Sequence, residues 1–325
     1  MSSGLEPPIR ETERRSSLPR RLRSPGPLQK DLLRLAGMCG GYVLTALLPA
    51  RFDGWVVDRL AALFLRVQTG RVRRLALQMR QLLGSAGTDE EFLETAREHY
   101  ELRIENDWGT IRGLHRRGWP PDVQLVGLER LRGALDDGRG AILWHMFFGP
   151  NVVPKAACWR NSIPLTHLSR AQHGVRSPNW FTLHSLAPLL RRCEDRYLAE
   201  RIVIPRDGSL GYMKALLGRL AENATLSIYA EHTGRQNVAT DFFEERAEFA
   251  TGAPSLAWKM GSALLPVYVV REGRFRYRVV IDEPIEVDRG LTRKEFAQRA
   301  IEDFSRRLQL RIAEYPADWM GWVHR

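Results

Sequence analysis

A short apolar run between two glycine-containing turns constrains the fold more than any other stretch of this sequence. Residues 138–150 read GRGAILWHMFFGP, and residues 141–144 within them are apolar without a break. Such a run, bounded by glycine, is typical of a strand buried on both faces, as in the parallel sheets of α/β proteins. His145 follows it directly. The sequence therefore predicts an imidazole at the carboxyl end of a buried strand, where open α/β sheets bind ligands.

Further apolar runs alternate with helical patterns downstream of this strand. The predicted strands are residues 163–170, 201–205, 225–230, a strand from Ala263 and a strand from Phe275. Predicted helices separate them, beginning with residues 150–161. This alternation indicates an α/β fold with a largely parallel central sheet flanked by helices. Arg170 ends one predicted strand and Glu231 follows another, so we expect both near His145 at one edge of the sheet.

Two capping boxes mark helix starts on either side of the predicted sheet. Thr88 is followed three residues later by Glu91, and Thr292 by Glu295. Apolar residues recur every fourth position after each box, which predicts one face packed on the body of the protein. After the second box these residues are Phe296, Ala300, Phe304, Leu308 and Ile312.

The sequence before the first capping box divides into two segments of different character. Residues 1–28 are rich in Arg, Ser and Pro, which predicts a disordered basic tail acting as a tether to an anionic membrane or as a solubilising extension. Residues 29–70 predict a membrane-inserted or interfacial helical segment, with a buried pair of helices as the alternative. Residues 71–325 are then expected to form the α/β domain.

The charge balance restricts the classes of partner. The chain of 325 residues carries 49 Lys and Arg against 38 Asp and Glu, a net charge of +11. Anionic partners are therefore expected, such as phospholipid surfaces, glycolipids, phosphate-bearing thioesters or nucleic acid. Nucleic acid is disfavoured because no recognition motif is present. Three cysteines without C-x-x-C spacing argue against a disulfide framework and a zinc site, so no metal is expected and a reducing compartment fits.

The order of these features resembles a known family. Strands ending in His145, Arg170 and Glu231 are followed by DFFEERAEFATGAPSLAWKMGSALLPVYVVR, with its Phe-Phe pair, Thr-Gly and Ala-x-x-Pro-Val, and by YPADWMGWVHR at residues 315–325. This order is similar to that of the bacterial late acyltransferases of lipid A biosynthesis, within the lysophospholipid acyltransferase superfamily. The resemblance covers most of residues 32–325.

The resemblance implies an enzyme at the cytoplasmic face of the bacterial inner membrane, with N-terminal membrane-associated helices. It would move a fatty acyl chain from an acyl carrier protein or coenzyme A thioester to a hydroxyl of a glycolipid or lysolipid. The thioester would be a co-substrate, with no cofactor bound permanently. His145 would be the general base and Glu231 a second catalytic residue. The remaining site residues would bind substrate phosphates, with surface ion pairing as the alternative for the arginines: Arg170, Arg201, Thr233 and Arg235.

One position departs from the pattern of that family. The resemblance implies an Asp or Glu five residues after the catalytic histidine, and Pro150 stands there. Three interpretations remain open: Glu231 turns back to orient His145, a backbone carbonyl fixes the imidazole tautomer, or the protein no longer transfers acyl groups. The last would make it a degenerate homologue that binds lipid or acts as a scaffold in a lipid-modifying assembly.

Overall fold

The structure is a computed structural model. It describes residues 27–84, 87–115, 118–119, 121–170, 183–184, 187–205, 210–230, 234 and 236–324. The predicted basic tail, residues 1–28, therefore lies almost wholly outside the described residues.

Helices of the described residues lie before, between and after the strands. They are α1 (Pro27–Leu47), α2 (Asp53–Val67), α3 (Thr69–Leu83), α4 (Asp89–Gly113), α5 (Leu128–Asp136), α6 (Val152–Arg160), α7 (Ala187–Asp195), α8 (Gly211–Ala221), α9 (Gly252–Met260) and α10 (Arg293–Glu314). Short 3₁₀ turns follow α10 at Pro316–Asp318 and Met320–His324.

The strands of the described residues form one large sheet and one hairpin. They are β1 (Asp122–Val126), β2 (Ala141–His145), β3 (Leu165–Arg170), β4 (Glu200–Ile204), β5 (Thr225–Tyr229), β6 (Asn237–Phe242), β7 (Glu245–Ala250), β8 (Ala263–Gly273) and β9 (Arg276–Ile281). Seven of them pair in the order β1-β9-β8-β2-β5-β3-β4, while β6 and β7 pair with each other.

The sheet confirms the predicted α/β architecture. Strands β8, β2, β5, β3 and β4 run parallel to one another, and β9 pairs antiparallel with β8. The strand β2 lies at the centre and all five of its residues are buried. On one face Trp144 packs against Phe304 of α10, with ring centroids 4.1 Å apart. Lys155 of α6 reaches the ring of Tyr229 on the other face, so helices flank the sheet on both sides.

Both predicted capping boxes are present. The hydroxyl of Thr88 accepts a hydrogen bond from the amide of Glu91 and opens α4, and Thr292 does the same for Glu295 at α10. The five apolar residues predicted on one face of α10 are all buried. These boundaries were predictable because a capping box satisfies backbone donors locally, whatever the helix packs against.

The predicted membrane segment forms two helices. Helix α1 covers Pro27–Leu47 and α2 covers Asp53–Val67, and both pack against α4. Within the described part of the chain, no helix combines the length and the apolar character needed to cross a bilayer.

Two features of the sheet region were absent from the sequence-based expectation. Strand β1 pairs parallel with β9 at the edge of the sheet, and its residues alternate between exposed and half-buried. Strands β6 and β7 form an antiparallel hairpin, and Phe243 and Glu244 make its turn. Phe243 has a positive φ of 56°. The amide of Phe243 donates to Gln309 of α10, so tertiary contact supports this turn.

Candidate active site

His145 is the last residue of β2 and lies at the carboxyl end of the parallel strands. In the sheet register it stands beside Tyr229 of β5 on one side and Val267 of β8 on the other. Its backbone oxygen accepts a hydrogen bond from the amide of Ala230 at 3.1 Å. The apolar run of β2 thus forms the predicted buried strand and brings the imidazole to the expected edge.

The imidazole of His145 is buried and chemically unsatisfied. The residue is 2 % exposed, and its Nε2 atom has no hydrogen-bond partner among the described residues. Burial, and secondly the positive charge of Lys155, lower the pKa of His145 to about 3. The side chain is therefore a neutral imidazole at any pH near neutrality, and its buried Nε2 is unpaired among the described residues.

Tyr229 is the shared neighbour of the polar groups around this imidazole. Its ring stacks on His145 with centroids 5.0 Å apart and meets the ring of His167 edge-on at 5.9 Å. The Nζ atom of Lys155 lies 5.7 Å from the centre of the same ring. His167 in turn pairs through Nδ1 with the hydroxyl of Ser227 at 3.0 Å. Two neutral histidines and one buried cation therefore surround one tyrosine.

A buried ion network lies behind Tyr229. Lys155, 1 % exposed, donates from Nζ to Oε2 of Glu194 at 2.8 Å. Arg201 donates to the same oxygen at 3.0 Å and to Asp195 at 2.5 Å. Burial lowers the pKa of Lys155, while the carboxylate of Glu194 acts in the opposite direction. Among the described residues the network holds two cations and two anions, so their formal charges balance.

Strand alternation explains which predicted residues share the face of His145. The register pairs His145 with Tyr229, and Ser227 with His167, which is itself paired with Arg201. These positions all fall on one face because successive side chains alternate. Arg170 is three positions beyond His167 and therefore leaves β3 on the opposite face. The structure thus brings Arg201 toward the His145 side of the sheet, but in ion pairs with Glu194 and Asp195, and separates Arg170 from it.

A protein-family match covers the C-terminal part of the chain. Residues 192–325 match the family model described as bacterial lipid A biosynthesis acyltransferase. This part of the chain is similar to that family. No curated protein matches the chain. The matched region begins in α7 and includes Arg201 and Tyr229, whereas His145, Pro150 and Lys155 lie before it.

Three of the predicted site residues lie in gaps of the structure. Glu231, Thr233 and Arg235 lie outside the described residues, so their roles stay predictions. Pro150 is buried, and its backbone oxygen accepts a hydrogen bond from the amide of Val153 at 3.0 Å, at the start of α6. Within the described residues, the charged side chain that acts on His145 is Lys155 and not a carboxylate.

The sequence reasoning missed Lys155, Glu194, His167 and Tyr229. One signal was available, since Lys155 is the single charged residue in an otherwise apolar stretch, VVPKAAC, at residues 152–158. A lysine inside such a stretch is buried only when it is paired. Its partner Glu194 is distant in sequence, so only the packing of α6 against α7 reveals the pair.

Two surface clefts of the described structure lie away from His145. One, of about 490 Å³, is lined by Glu200, Arg219 and Thr225 among others, at the amino ends of β3, β4 and β5. The other lies beside Asp122 and Arg274. Ligands of open parallel sheets bind at the carboxyl ends of strands, so the first cleft is not the candidate active site. The second cleft is lined by Asp122 and residues 273–276 and does not include His145.

Proposed function

We propose that this protein is a membrane-associated acyltransferase that moves a fatty acyl chain from an acyl carrier protein or coenzyme A thioester to a hydroxyl of a glycolipid or lysolipid. One observation carries the proposal: a buried imidazole with an unsatisfied Nε2 ends the central strand of a parallel sheet. The family of residues 192–325 supports acyl transfer as the chemistry. The basic charge of the chain, +11, suits a phosphate-bearing donor or acceptor.

In this reaction His145 acts as the general base. An acceptor hydroxyl has a pKa far above 7, so its proton must leave as its oxygen bonds to the carbonyl carbon of the thioester. Nε2 of His145 accepts that proton. The carbon–sulfur bond then breaks, and the leaving thiolate takes the proton from the imidazolium. The products are an ester and a free thiol, and the imidazole is neutral again.

Burial also makes His145 a weak base. A pKa of about 3 lies well below the value near 7 at which general-base catalysis is most efficient. The nearby Lys155 ammonium further opposes formation of an imidazolium. A bound anionic substrate would counter both effects. Under this proposal Glu231 supplies the missing negative charge, while Thr233 and Arg235 hold substrate phosphates.

A second candidate function is favoured by Pro150 and Lys155. Pro150 stands where the resemblance implies a carboxylate, and the charge that acts on His145 is the positive charge of Lys155. Both features weaken proton transfer but leave a polar buried nitrogen for binding. In this alternative the protein binds a lipid or an acyl donor without turning it over and serves a lipid-modifying assembly.

Acyl transfer from radiolabelled acyl carrier protein and acyl coenzyme A into total membrane lipid distinguishes the two candidates. We expect wild type to transfer label and His145→Gln to lose about 100-fold or more, because positioned bases contribute about 10²–10⁴-fold. Pro150→Glu should raise the rate if an orienting carboxylate limits it. Thermal melting must show that both variants fold. Equal silence of wild type and folded His145→Gln, beside an active family member, would support the binding function instead.

The membrane association in this proposal rests on the outer face of α2. Trp55, Leu63 and Val67 are 59 %, 61 % and 66 % exposed, and together with Arg59 they recur every fourth residue. The opposite face, with Val57, packs on Trp108 of α4. Apolar side chains mixed with arginine on one helical face suit the interface of an anionic bilayer.

Binding to vesicles of phosphatidylglycerol and phosphatidylcholine tests this location. The variant Leu63→Glu is expected to weaken co-sedimentation about tenfold or more, since it exchanges the burial of one leucine for a repelled carboxylate. Leu310→Glu is the matched control, because Leu310 is an exposed leucine on α10, away from α2. An equal loss in both variants would mean that charge in general, and not α2, governs the binding.

A further inference from the structure

The segment after α10 pairs with the loop that follows His145. We call residues 316–322 the C-terminal brace and residues 146–150 the His145 loop. The amide of Met320 donates to the oxygen of Phe147 at 2.8 Å, and the amide of Gly149 donates to the oxygen of Asp318 at 2.9 Å. Between these two hydrogen bonds Phe148 and Trp319 form an antiparallel bridge. The His145 loop therefore has the brace as its partner strand.

The brace is itself fixed by packing. Trp319 and Trp322 are buried, with ring centroids 4.8 Å apart. The indole of Trp322 donates to the oxygen of Pro316 at 2.8 Å and closes the segment on itself. Phe242 of the β6–β7 hairpin lies against Trp319 at 5.9 Å. Buried aromatic rings of this size resist displacement, so the brace is a firm support for the loop.

Two polar contacts join the brace to the rest of the protein. The carboxylate of Asp318 accepts a hydrogen bond from the amide of Arg271 on β8 at 3.0 Å. His99 of α4 donates from Nδ1 to the oxygen of Ala317 at 2.9 Å. The brace is therefore tied to both α4 and β8, and it transmits their positions to the His145 loop.

The His145 loop is held by β8 on one side and by the brace on the other. The amide of Met146 donates to Val267 of β8 at 2.8 Å and continues the sheet for one more residue. Gly149 has a φ of +59°, and a Cβ atom there would lie 3.0 Å from a methyl carbon of Val269. A residue with a Cβ atom would be strained at this point, which favours glycine. The hydrogen bond from the amide of Gly149 to the backbone oxygen of Asp318 then fixes the direction of the loop.

We propose that the brace positions His145, with Trp319 and Asp318 as its positioning residues. The imidazole is one residue from the loop, and the ladder of β2 with β5 and β8 holds its backbone on the other side. Freeing the loop lets the end of β2 and the start of α6 move apart from β8. The consequence for catalysis rests on the proposed acyl transfer, whereas the positioning of the imidazole does not.

Hydrogen exchange with mass spectrometry tests the brace in the full chain without any assay of activity. In Trp319→Ala we expect peptides that contain residues 146–150 to exchange about tenfold faster or more, because two hydrogen bonds and one buried ring lose their support. Peptides from β5 should keep their wild-type exchange. The conservative variant Trp319→Phe should restore most of the protection, and Leu310→Ala, an exposed site on α10, should change nothing.

Two substitutions at Asp318 disturb the fold less than Trp319→Ala does. They separate loss of a single hydrogen bond from general unfolding. Asp318→Ala removes the acceptor of the Arg271 amide, whereas Asp318→Asn keeps an oxygen in the same place. We expect faster exchange of the His145 loop in the alanine variant and near wild-type exchange in the asparagine variant. Identical behaviour of the two would show that the hydrogen bond is irrelevant, and it would overturn the role of Asp318.

The imidazole itself supplies the deciding signal. With ¹³C-labelled histidine, the Cε1–H resonance of His145, assigned by its loss in His145→Gln, should shift in Trp319→Ala and stay in Leu310→Ala. If transfer activity is present, kcat should fall about 100-fold with KM within about twofold of wild type, as for a misplaced catalytic group. Faster loop exchange with an unmoved His145 resonance would overturn the proposal. Failure of acyl transfer in wild type would count only against the proposed function.

Discussion

The variant Glu194→Gln is expected to lower the free energy of unfolding by about 3–5 kcal/mol. Glu194 is the shared anion of the buried network, 2.8 Å from Lys155 and 3.0 Å from Arg201. Removing its charge leaves the ammonium of Lys155 buried beside a neutral amide. Asp195 offsets this desolvation cost only in part, because it pairs with Arg201 and acts on Lys155 more weakly than Glu194 does. Urea denaturation followed by tryptophan fluorescence, analysed by linear extrapolation, measures the loss.

The neighbouring carboxylate provides the matched control. The side chain of Asp195 is 49 % exposed and shares its ion pair with Arg201 at the rim of the network. Half-exposed pairs contribute little, so Asp195→Asn should cost less than about 1 kcal/mol. Equal losses in the two variants would contradict the assignment of Glu194 as the group that neutralises Lys155.

The pH dependence of the same variant has a defined sign. Burial lowers the pKa of Lys155 in the folded protein, so in the alkaline range the folded state binds fewer protons than the unfolded chain. The free energy of unfolding therefore rises with pH in that range. Loss of the Glu194 carboxylate lowers the pKa of Lys155 further, so in Glu194→Gln this rise should begin at a lower pH than in wild type.

The central strand and its histidine could be predicted because their signals are local. Five consecutive buried residues in β2 follow from an apolar run, and both capping boxes follow from residue pairs three positions apart. Strand β1 could not be predicted in this way. It lies at the sheet edge with alternate residues exposed, and its partner β9 is more than 150 positions away in sequence.

The β6–β7 hairpin was missed for a different physical reason. Two-residue hairpin turns usually contain Asn-Gly or a similar pair, because these residues adopt the positive φ that the turn requires. Here the turn is Phe243-Glu244, with Phe243 at a φ of 56°. The hydrogen bond from its amide to Gln309 and the packing of Phe242 on Trp319 support this conformation from outside the hairpin. Such tertiary support leaves no local trace in the sequence.

The position of His145 was predictable from the sequence, whereas the residues that surround it in the fold were not. His145 follows from the strand, whereas the influence of Lys155 on it requires the register of β5 and the packing of α6 on α7. Arg201 shows the limit most clearly. Its position next to a strand predicts a ligand for phosphate, yet in the folded chain Glu194 and Asp195 accept its hydrogen bonds. Charge type alone does not reveal whether a partner lies within the protein.

Mild acid is expected to destabilise this protein steeply, because three buried histidines are held neutral. Burial lowers the pKa of His145 to about 3 and of His99 to about 4, and it lowers the pKa of His167 well below the ordinary value. The unfolded chain binds protons at these histidines below a pH of about 6.5. Their contribution to stability is therefore complete above about pH 6.5 and is lost as the pH falls toward 4.

Each such histidine changes the folding equilibrium constant about tenfold per pH unit, and Asp318 opposes one of them. Burial raises the pKa of Asp318 to about 7, so its folded form binds a proton that the unfolded chain has released between about pH 4 and 7. Three histidines against one aspartate leave a net change of about a hundredfold per pH unit from these groups. Urea unfolding at a series of pH values from 4 to 7 measures it.

Variants separate these groups from the other carboxylates that titrate in the same range. His145→Gln should make the fall in stability on acidification shallower by about tenfold per pH unit, because glutamine takes up no proton. Asp318→Asn should make it steeper by a similar factor. These opposite changes are the signature of a neutral imidazole at the end of β2 and a protonated carboxyl in the brace. A wild-type slope in His145→Gln would mean that the imidazole is solvated in the folded protein, and it would then be a stronger base than its burial allows.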